Sequence, residues 1–370
     1  MDLLYHYFAE LIKCTGVGYL TIFIILALIK SPSSSVYKPY RRAKWLLAGT
    51  FACFALNLFL WCFFNNGNWK VLNYNIAVAD IILFFLEYML LCNSYCILLN
   101  KDYSSPRRIL TDLSLWLIAS GLGFMALMPA FVVWRNVFLF ASLAMLVGYI
   151  CWFVYSFYRQ YRRYCNMLDN YFSNDMQRFA RWTSRSVSMC VVSWCLAIVT
   201  MFGDIYINWL YQFYVISLNV YIAVSFVNYA AKYGDLAKAT VEDMGSEMIE
   251  PSAVPDSFVE NNTIDSRLQR WLNDKKYLYE QLTIDDLAQA IGTNKNYLSY
   301  HINEKYGMSF SSWIADMRIC EAKRLMSENP DCKLETIAYS SGFSSASYFS
   351  KVFSLHEGMS PTRWRKENLL

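Results

Sequence analysis

Seven runs of roughly 20 apolar residues fall within the first 230 positions, each long enough to cross a hydrocarbon layer of about 30 Å. They lie at 8–29, 43–64, 74–99, 109–128, 136–157, 186–203 and 207–229. In lipid such a run must satisfy its backbone polar groups within itself, which makes each one a helix. Composition agrees: 56% of the 370 residues are hydrophobic and only 17% charged, where soluble domains carry about 25% charged residues. We therefore expect an all-α chain in which residues 1–232 form a transmembrane bundle of about seven helices, in contact with membrane lipids. The first run lacks a basic start and a small-residue cleavage site, so it reads as a retained helix rather than a signal peptide.

Lys and Arg in the connecting loops set the expected orientation. Lys30, Lys38, Arg41, Arg42 and Lys44 follow the first run, and Lys101, Arg107 and Arg108 follow the third. Arg159, Arg162, Arg163, Arg178, Arg181 and Arg185 follow the fifth. The alternate loops hold Lys70, then Arg135, then none. This bias places the N-terminus outside and everything after Tyr229 in the cytoplasm, with the bundle in a cytoplasmic (inner) membrane. The long loop after the fifth run, RQYRRYCNMLDNYFSNDMQRFARW, mixes Arg with aromatic residues. It reads as an extension of the fifth helix, as an amphipathic segment on the anionic inner leaflet, or as a solvated connector.

Four polar residues sit where lipid tolerates them poorly: Asn57 in the second run, Asp80 and Glu87 in the third, and Asn219 in the seventh. Asp80 and Glu87 are seven apart and share a helical face. Such groups point inward, toward a partner or a cavity. They form either a sensor pocket for a small-molecule or membrane-borne signal, or neutral packing contacts between helices. A transporter with a regulatory tail is the alternative reading, although no inverted repeat or pair of Gly/Pro-broken helices marks a transport site.

The remaining chemistry is sparse. Of 11 Cys, nine precede residue 200 within apolar surroundings, and no pair has the two-residue gap of a zinc or redox motif. The three His (His6, His301 and His356) lie far apart in sequence. No metal, no cofactor and no catalytic constellation is expected, and the chain does not read as an enzyme. Residues 233–263 hold one Lys against seven acidic residues, with Pro251 and Pro255. We read them as an acidic flexible linker, which also offers a place for proteolytic release of the C-terminal segment.

Residues 264–370 contain an internal repeat. YLSYHINEKYGMS (Tyr297 to Ser309) aligns with YFSKVFSLHEGMS (Tyr348 to Ser360) at an offset of 51. Upstream, Leu287-Ala288 and Gly292 recur as Ile337-Ala338 and Gly342 at an offset of 50, so the second copy has one more residue in its turn. Each copy predicts helix, tight turn, helix. Thr283 and Asp286 have capping-box spacing, Gly292 and Gly342 suit a left-handed turn residue, and Thr293 is the expected cap of the next helix. Leu298 and Ile302, then Phe349 and Phe353, form the inner stripes. Between the copies, Phe310, Ile314, Met317 and Leu325 mark a stiff connecting helix. Two helix-turn-helix units held at fixed separation can reach successive major-groove faces, about 34 Å apart.

On these residues the segment resembles the DNA-binding domain of AraC/XylS-family transcription regulators. The resemblance rests on Ile337-Ala338, Gly342-Phe343, Ser347-Tyr348-Phe349-Ser350, Phe353, Gly358, Ser360-Pro361 and Trp364-Arg365. LTIDDLAQAIGTNKNYLSYHIN, Gly307, Ser309-Phe310, Arg318 and Ala322 extend it. The whole chain is similar to the membrane-anchored members of that family. The resemblance implies a seven-helix, two-part domain that binds double-stranded promoter DNA sequence-specifically, with RNA polymerase and a second copy of the chain as expected partners. The expected DNA-facing positions are Lys295, Asn296, Ser299, Tyr300 and Asn303 in the first unit, and Ser345, Ala346, Ser347, Ser350 and Lys351 in the second. Only two of these ten are basic, and the segment holds 14 Lys/Arg against 13 Asp/Glu. Affinity for DNA should therefore be modest and strongly salt-dependent.

Overall fold

Each apolar run becomes a helix in the computed structural model, which describes residues 2–64, 74–200, 205–243 and 258–369. In order these are α1 (Asp2–Leu28), α2 (Lys38–Phe64), α3 (Tyr74–Leu99), α4 (Pro106–Leu127), α5 (Arg135–Tyr171), α6 (Arg181–Thr200) and α7 (Ile205–Asp243). Six of the seven are long and apolar enough to cross a membrane; α6 is not among them. It opens on Arg-Trp-Thr-Ser-Arg-Ser, which shortens its apolar stretch, and residues 201–203 of the expected span lie outside the described ones. Lys70 also lies outside them.

The described residues divide into two units, Met1–Tyr164 with Ala180–Gly234, and Cys165–Phe179 with Asp235–Leu370. In the first, α2 lies along both α1 and α3, and α3 along α4. Phe85 and Met89 of α3, Ala119 of α4 and Tyr149 of α5 make one buried cluster. Phe8 and Ile12 of α1 meet Ile205 of α7 in another. Tyr40 of α2 stacks on Phe226 of α7 with ring centroids 4.9 Å apart. Hydroxyls join helices where side chains are small: Ser94 donates to the Ala43 carbonyl at 2.9 Å, and Ser142 to the Ala119 carbonyl at 2.8 Å. The outward faces are apolar too, with Leu117, Phe140, Val147 and Val224 exposed. A bundle apolar on both its inner and outer surfaces is matched to a hydrocarbon surrounding.

The second unit contains α8 (Phe258–Asn273), α9 (Ile284–Ile291), α10 (Lys295–Tyr306), α11 (Phe310–Glu328), α12 (Leu334–Ser340), α13 (Ala346–Glu357) and α14 (Pro361–Leu369). Seven helices match the number that the family resemblance implies. The flexible coil expected over 233–263 is not what its ends adopt, because α7 continues to Asp243 and α8 starts at Phe258. Asp235-Leu-Ala-Lys-Ala is composed mainly of good helix formers and carries no Pro, so nothing in it stops the helix. Residues 244–257, including both prolines, lie outside the described residues.

A short segment after α5 also belongs to this unit. Phe172 pairs with Thr283 in an isolated antiparallel bridge, and the Ser173 amide donates to the Leu282 carbonyl at 3.1 Å. None of the three sequence readings of this loop foresaw that it would dock on the C-terminal helices.

Candidate nucleic-acid interface

The first reading unit is built from local signals that the sequence carries openly. Thr283 and Asp286 close a reciprocal capping box at the start of α9. Gly292 ends that helix with φ +71°, and the Thr293 amide returns to the Ala288 carbonyl at 2.9 Å. Thr293 is thereby used in the turn. Asn294, not Thr293, caps α10, accepting from the Tyr297 amide at 2.8 Å. Leu287, Ala288, Ile291, Leu298 and Ile302 are all buried between the two helices.

The second unit repeats this geometry. Gly342 has φ +86°, the Phe343 amide returns to the Ala338 carbonyl at 3.0 Å, and Ser345 caps α13 by accepting from the Tyr348 amide at 3.2 Å. Counting from each turn glycine, the cap comes two residues later in the first unit and three in the second. Ser344 is therefore the additional residue that shifts the repeat offset from 50 to 51. Ile337, Ala338, Phe343, Phe349 and Phe353 form one cluster with Ile319, Ala322 and Met326 of α11. Trp313 of α11 packs against Tyr306 of α10 with ring centroids 5.7 Å apart. The connecting helix is thus shared by both units. Its 19 residues make a rod of about 28 Å, comparable with the pitch of duplex DNA.

Of the ten expected DNA-facing positions, Tyr300, Asn303, Ser347, Ser350 and Lys351 are exposed, and Lys295, Asn296 and Ser299 are half-buried. Ser345 and Ala346 are half-buried as well, and each has a structural task, Ser345 as the cap and Ala346 packed on the aromatic cluster. Much of the unit's positive charge is held by its own carboxylates. Asp265 takes Lys305 at 2.6 Å and His301 at 2.9 Å. Lys323 is paired with Glu357 at 3.0 Å, and Lys275 and Arg324 with Glu321 at 3.0 and 2.7 Å. Burial works to raise the Asp265 carboxyl, but the hydrogen bonds from Lys305 and His301 prevail and hold it below its usual range. The hydrogen bond from Arg324 does the same to Glu321, assisted by Lys275.

His356, near the end of α13, is bonded to Asp316 and, at 3.0 Å, to Glu357. The Asp316 bond, with Glu357 behind it, raises the imidazole above its ordinary value of 6.5. The folded unit therefore holds this proton more tightly than the unfolded chain. The resulting stabilisation is complete below about pH 6.5 and is lost as pH climbs through the raised folded-state value. Protection of α13 amides, corrected for intrinsic exchange, should fall from pH 6 to pH 8, and His356→Gln should flatten that dependence.

Arg318 is the feature that sequence reasoning undervalued. It stands in mid-α11 and is fully buried, with 0% exposure. Its Nε donates to the Tyr277 carbonyl at 2.8 Å and its Nη2 to the Tyr279 carbonyl at 2.6 Å. Nη1 reaches Asn174 Oδ1 at 3.1 Å, and Nη2 reaches Ser173 Oγ at 3.2 Å. Burial lowers the guanidinium to about 10, yet it remains charged at neutral pH. The signal was present in the sequence: Ile314, Arg318 and Ala322 fall four apart on one buried face. A cation on such a stripe must find partners inside. The identity of those partners, however, depends on tertiary structure.

In the N-terminal unit, Asn57, Glu87 and Asn219 are buried, and Asp80 is half-buried. Asp80 lies beside Asn57. Asn219 Nδ2 donates to the Tyr19 hydroxyl at 3.1 Å. Glu87 is fully enclosed, and among the described residues neither of its carboxyl oxygens meets a hydrogen-bond partner.

Comparison with known proteins agrees with this geometry. Residues 287–367 match the family model described as a helix-turn-helix domain. The chain is similar to an uncharacterised HTH-type transcriptional regulator, YisR, of Bacillus subtilis, with 35% identity over 92 residues covering 25% of this chain and 32% of the relative. It is 31% identical over 97 residues to the Msm operon regulatory protein of Streptococcus mutans, covering 25% and 34%. The HTH-type transcriptional activator RhaR of Salmonella dublin shares 28% over 88 residues, covering 24% and 31%. The chain thus spans about a third of the length of the curated relatives it matches. No solved structure matches it. With both turns, both caps and the shared connecting helix in place, the C-terminal part of this chain is a helix-turn-helix domain of the AraC/XylS type.

Proposed function

We propose that the chain is a membrane-bound one-component transcription regulator whose cytoplasmic C-terminal domain binds promoter DNA sequence-specifically. The observation that carries this reading is the pair of units with the same turn closure on one connecting helix. The N-terminal helices anchor the protein in the inner membrane with the N-terminus outside. The apolar outer faces of the bundle and the clustering of Lys and Arg in alternate loops support that part. Asn57, Asp80, Glu87 and Asn219 are the residues assigned to sensing, because an enclosed carboxyl without partners is a costly feature for a mere anchor.

Genomic fragments recovered by crosslinking the full-length chain in cells should share one sequence element. Specific binders typically exceed their non-specific affinity by about 10³-fold or more, so binding that shows no preference at about 0.15 M salt overturns the reading. Lys351→Ala should weaken binding about three- to tenfold. It should also lower the slope of log affinity against log salt by about 0.9, as expected for one lost phosphate contact. Fluorescence anisotropy over a salt series measures both.

A further inference from the structure

The two basic side chains among the ten expected reading positions both lie near residues 169–175, the last turn of α5 and the residues that follow it. Lys295, at the start of α10, sits over the Tyr171 ring with its ammonium 5.6 Å from the centroid. Lys351, on α13, lines a cleft of about 400 Å³ together with Asp169 and Asp175. The same segment is fastened by its backbone through the Phe172–Thr283 bridge and the Ser173–Leu282 hydrogen bond. Asn174 donates to the Glu280 carbonyl, and Arg318 holds Ser173 and Asn174 from beneath. A stretch of seven residues thus meets the first reader's cation with an aromatic ring and places two carboxylates in the cleft that the second reader's cation lines, at the lysines that phosphates or guanine edges would require.

We propose that the segment from Asp169 to Asp175 is an intramolecular clasp that competes with duplex DNA for Lys295 and Lys351. An aromatic face and two carboxylates present to these lysines what DNA would otherwise offer, a π surface and negative charge. Binding of DNA then requires the clasp to leave, and whatever displaces the last turn of α5 together with the residues after it releases both readers together. The clasp rests on the reading of this domain as DNA-binding.

The test uses the full-length chain in lipid nanodiscs and a fluorescent pool of 30-base-pair duplexes, enriched from random sequence on the reduced chain. Cysteines placed at the bridged pair by Phe172→Cys with Thr283→Cys are within disulfide reach. Oxidation of the pair should weaken duplex binding at least tenfold, reductant should restore it, and either single variant should be indifferent to oxidation. Independently, Asp169→Asn with Asp175→Asn should tighten binding about threefold or more at 0.1 M salt, while Asp331→Asn, on the loop before α12, should leave it unchanged. The clasp is overturned if the oxidised pair binds as well as the reduced one, or if Asp331→Asn tightens binding as much as the double variant. A reduced chain that enriches no duplex overturns the DNA-binding reading itself, and the clasp with it.

Discussion

Gly342→Ala should destabilise the C-terminal unit by about 3 kcal/mol, the sum of a backbone cost and a packing cost. Gly342 adopts φ +86°, where an L side chain costs about 1–2 kcal/mol. A Cβ there would also stand 2.7 Å from the Leu278 carbonyl oxygen, 2.9 Å from the Leu278 Cα and 3.0 Å from Arg318 Nε. Two of those atoms are backbone and the third belongs to a buried, fully engaged side chain, so none can yield cheaply. Overpacking of this kind typically adds about 1–3 kcal/mol. Gly358 supplies the control, since it has φ +71° but no atom within 4 Å of its Cβ position. Gly358→Ala should therefore cost only the backbone part, about 1 kcal/mol. Amide exchange in α11 and α13 of the full-length chain measures both, and equal losses would contradict the close approach at Leu278.

Arg318→Met should be comparably severe, about 3–5 kcal/mol, because it removes the shared donor of several neutral buried acceptors and leaves them in place. The carbonyls of Tyr277 and Tyr279 would lose their guanidinium donor, as would Ser173 and Asn174. Each buried group left unpaired costs about 1–3 kcal/mol. Arg318→Lys keeps a charge but not the planar fork that serves several acceptors at once. About 2 kcal/mol of the loss should therefore persist in the Lys variant. Exchange of the Ser173 amide, bonded to the Leu282 carbonyl, distinguishes the two effects. It should rise in step with α11 if Arg318 fastens the segment after α5. An Arg318→Met chain with unchanged protection at both places would show that the guanidinium contributes nothing net.

Most of the fold could be read from local pattern. The seven apolar runs became seven helices, and in all but α6, whose polar opening shortens its apolar stretch, length and hydropathy point the same way. The two reading units were legible because their punctuation is local: Gly292 and Gly342 are needed for positive φ, Thr283 and Asp286 for a cap, Ala288 and Ala338 for close helix crossing. The cap of α10 shows where such reasoning fails. Thr293 and Asn294 are both good capping residues; the Thr293 amide closes the turn on the Ala288 carbonyl, so α10 starts one residue later and Asn294 stands at its cap. The linker boundary failed for a similar reason. Acidic composition discourages a packed core but does not stop a helix already running, and α7 carried on to Asp243.

What the sequence determined by itself, then, was helix placement, apolar periodicity and the repeated turn, each governed by contacts within a few residues. The tertiary structure alone decided which long-range partners meet. It put Tyr171 under Lys295, placed Asp169 and Asp175 in the cleft with Lys351, and brought Ser173 and Asn174 onto Arg318, well over 100 residues away in sequence. No periodicity encodes those meetings, because a buried guanidinium donates to any carbonyl that the packing brings within reach, and only the folded chain selects which one arrives.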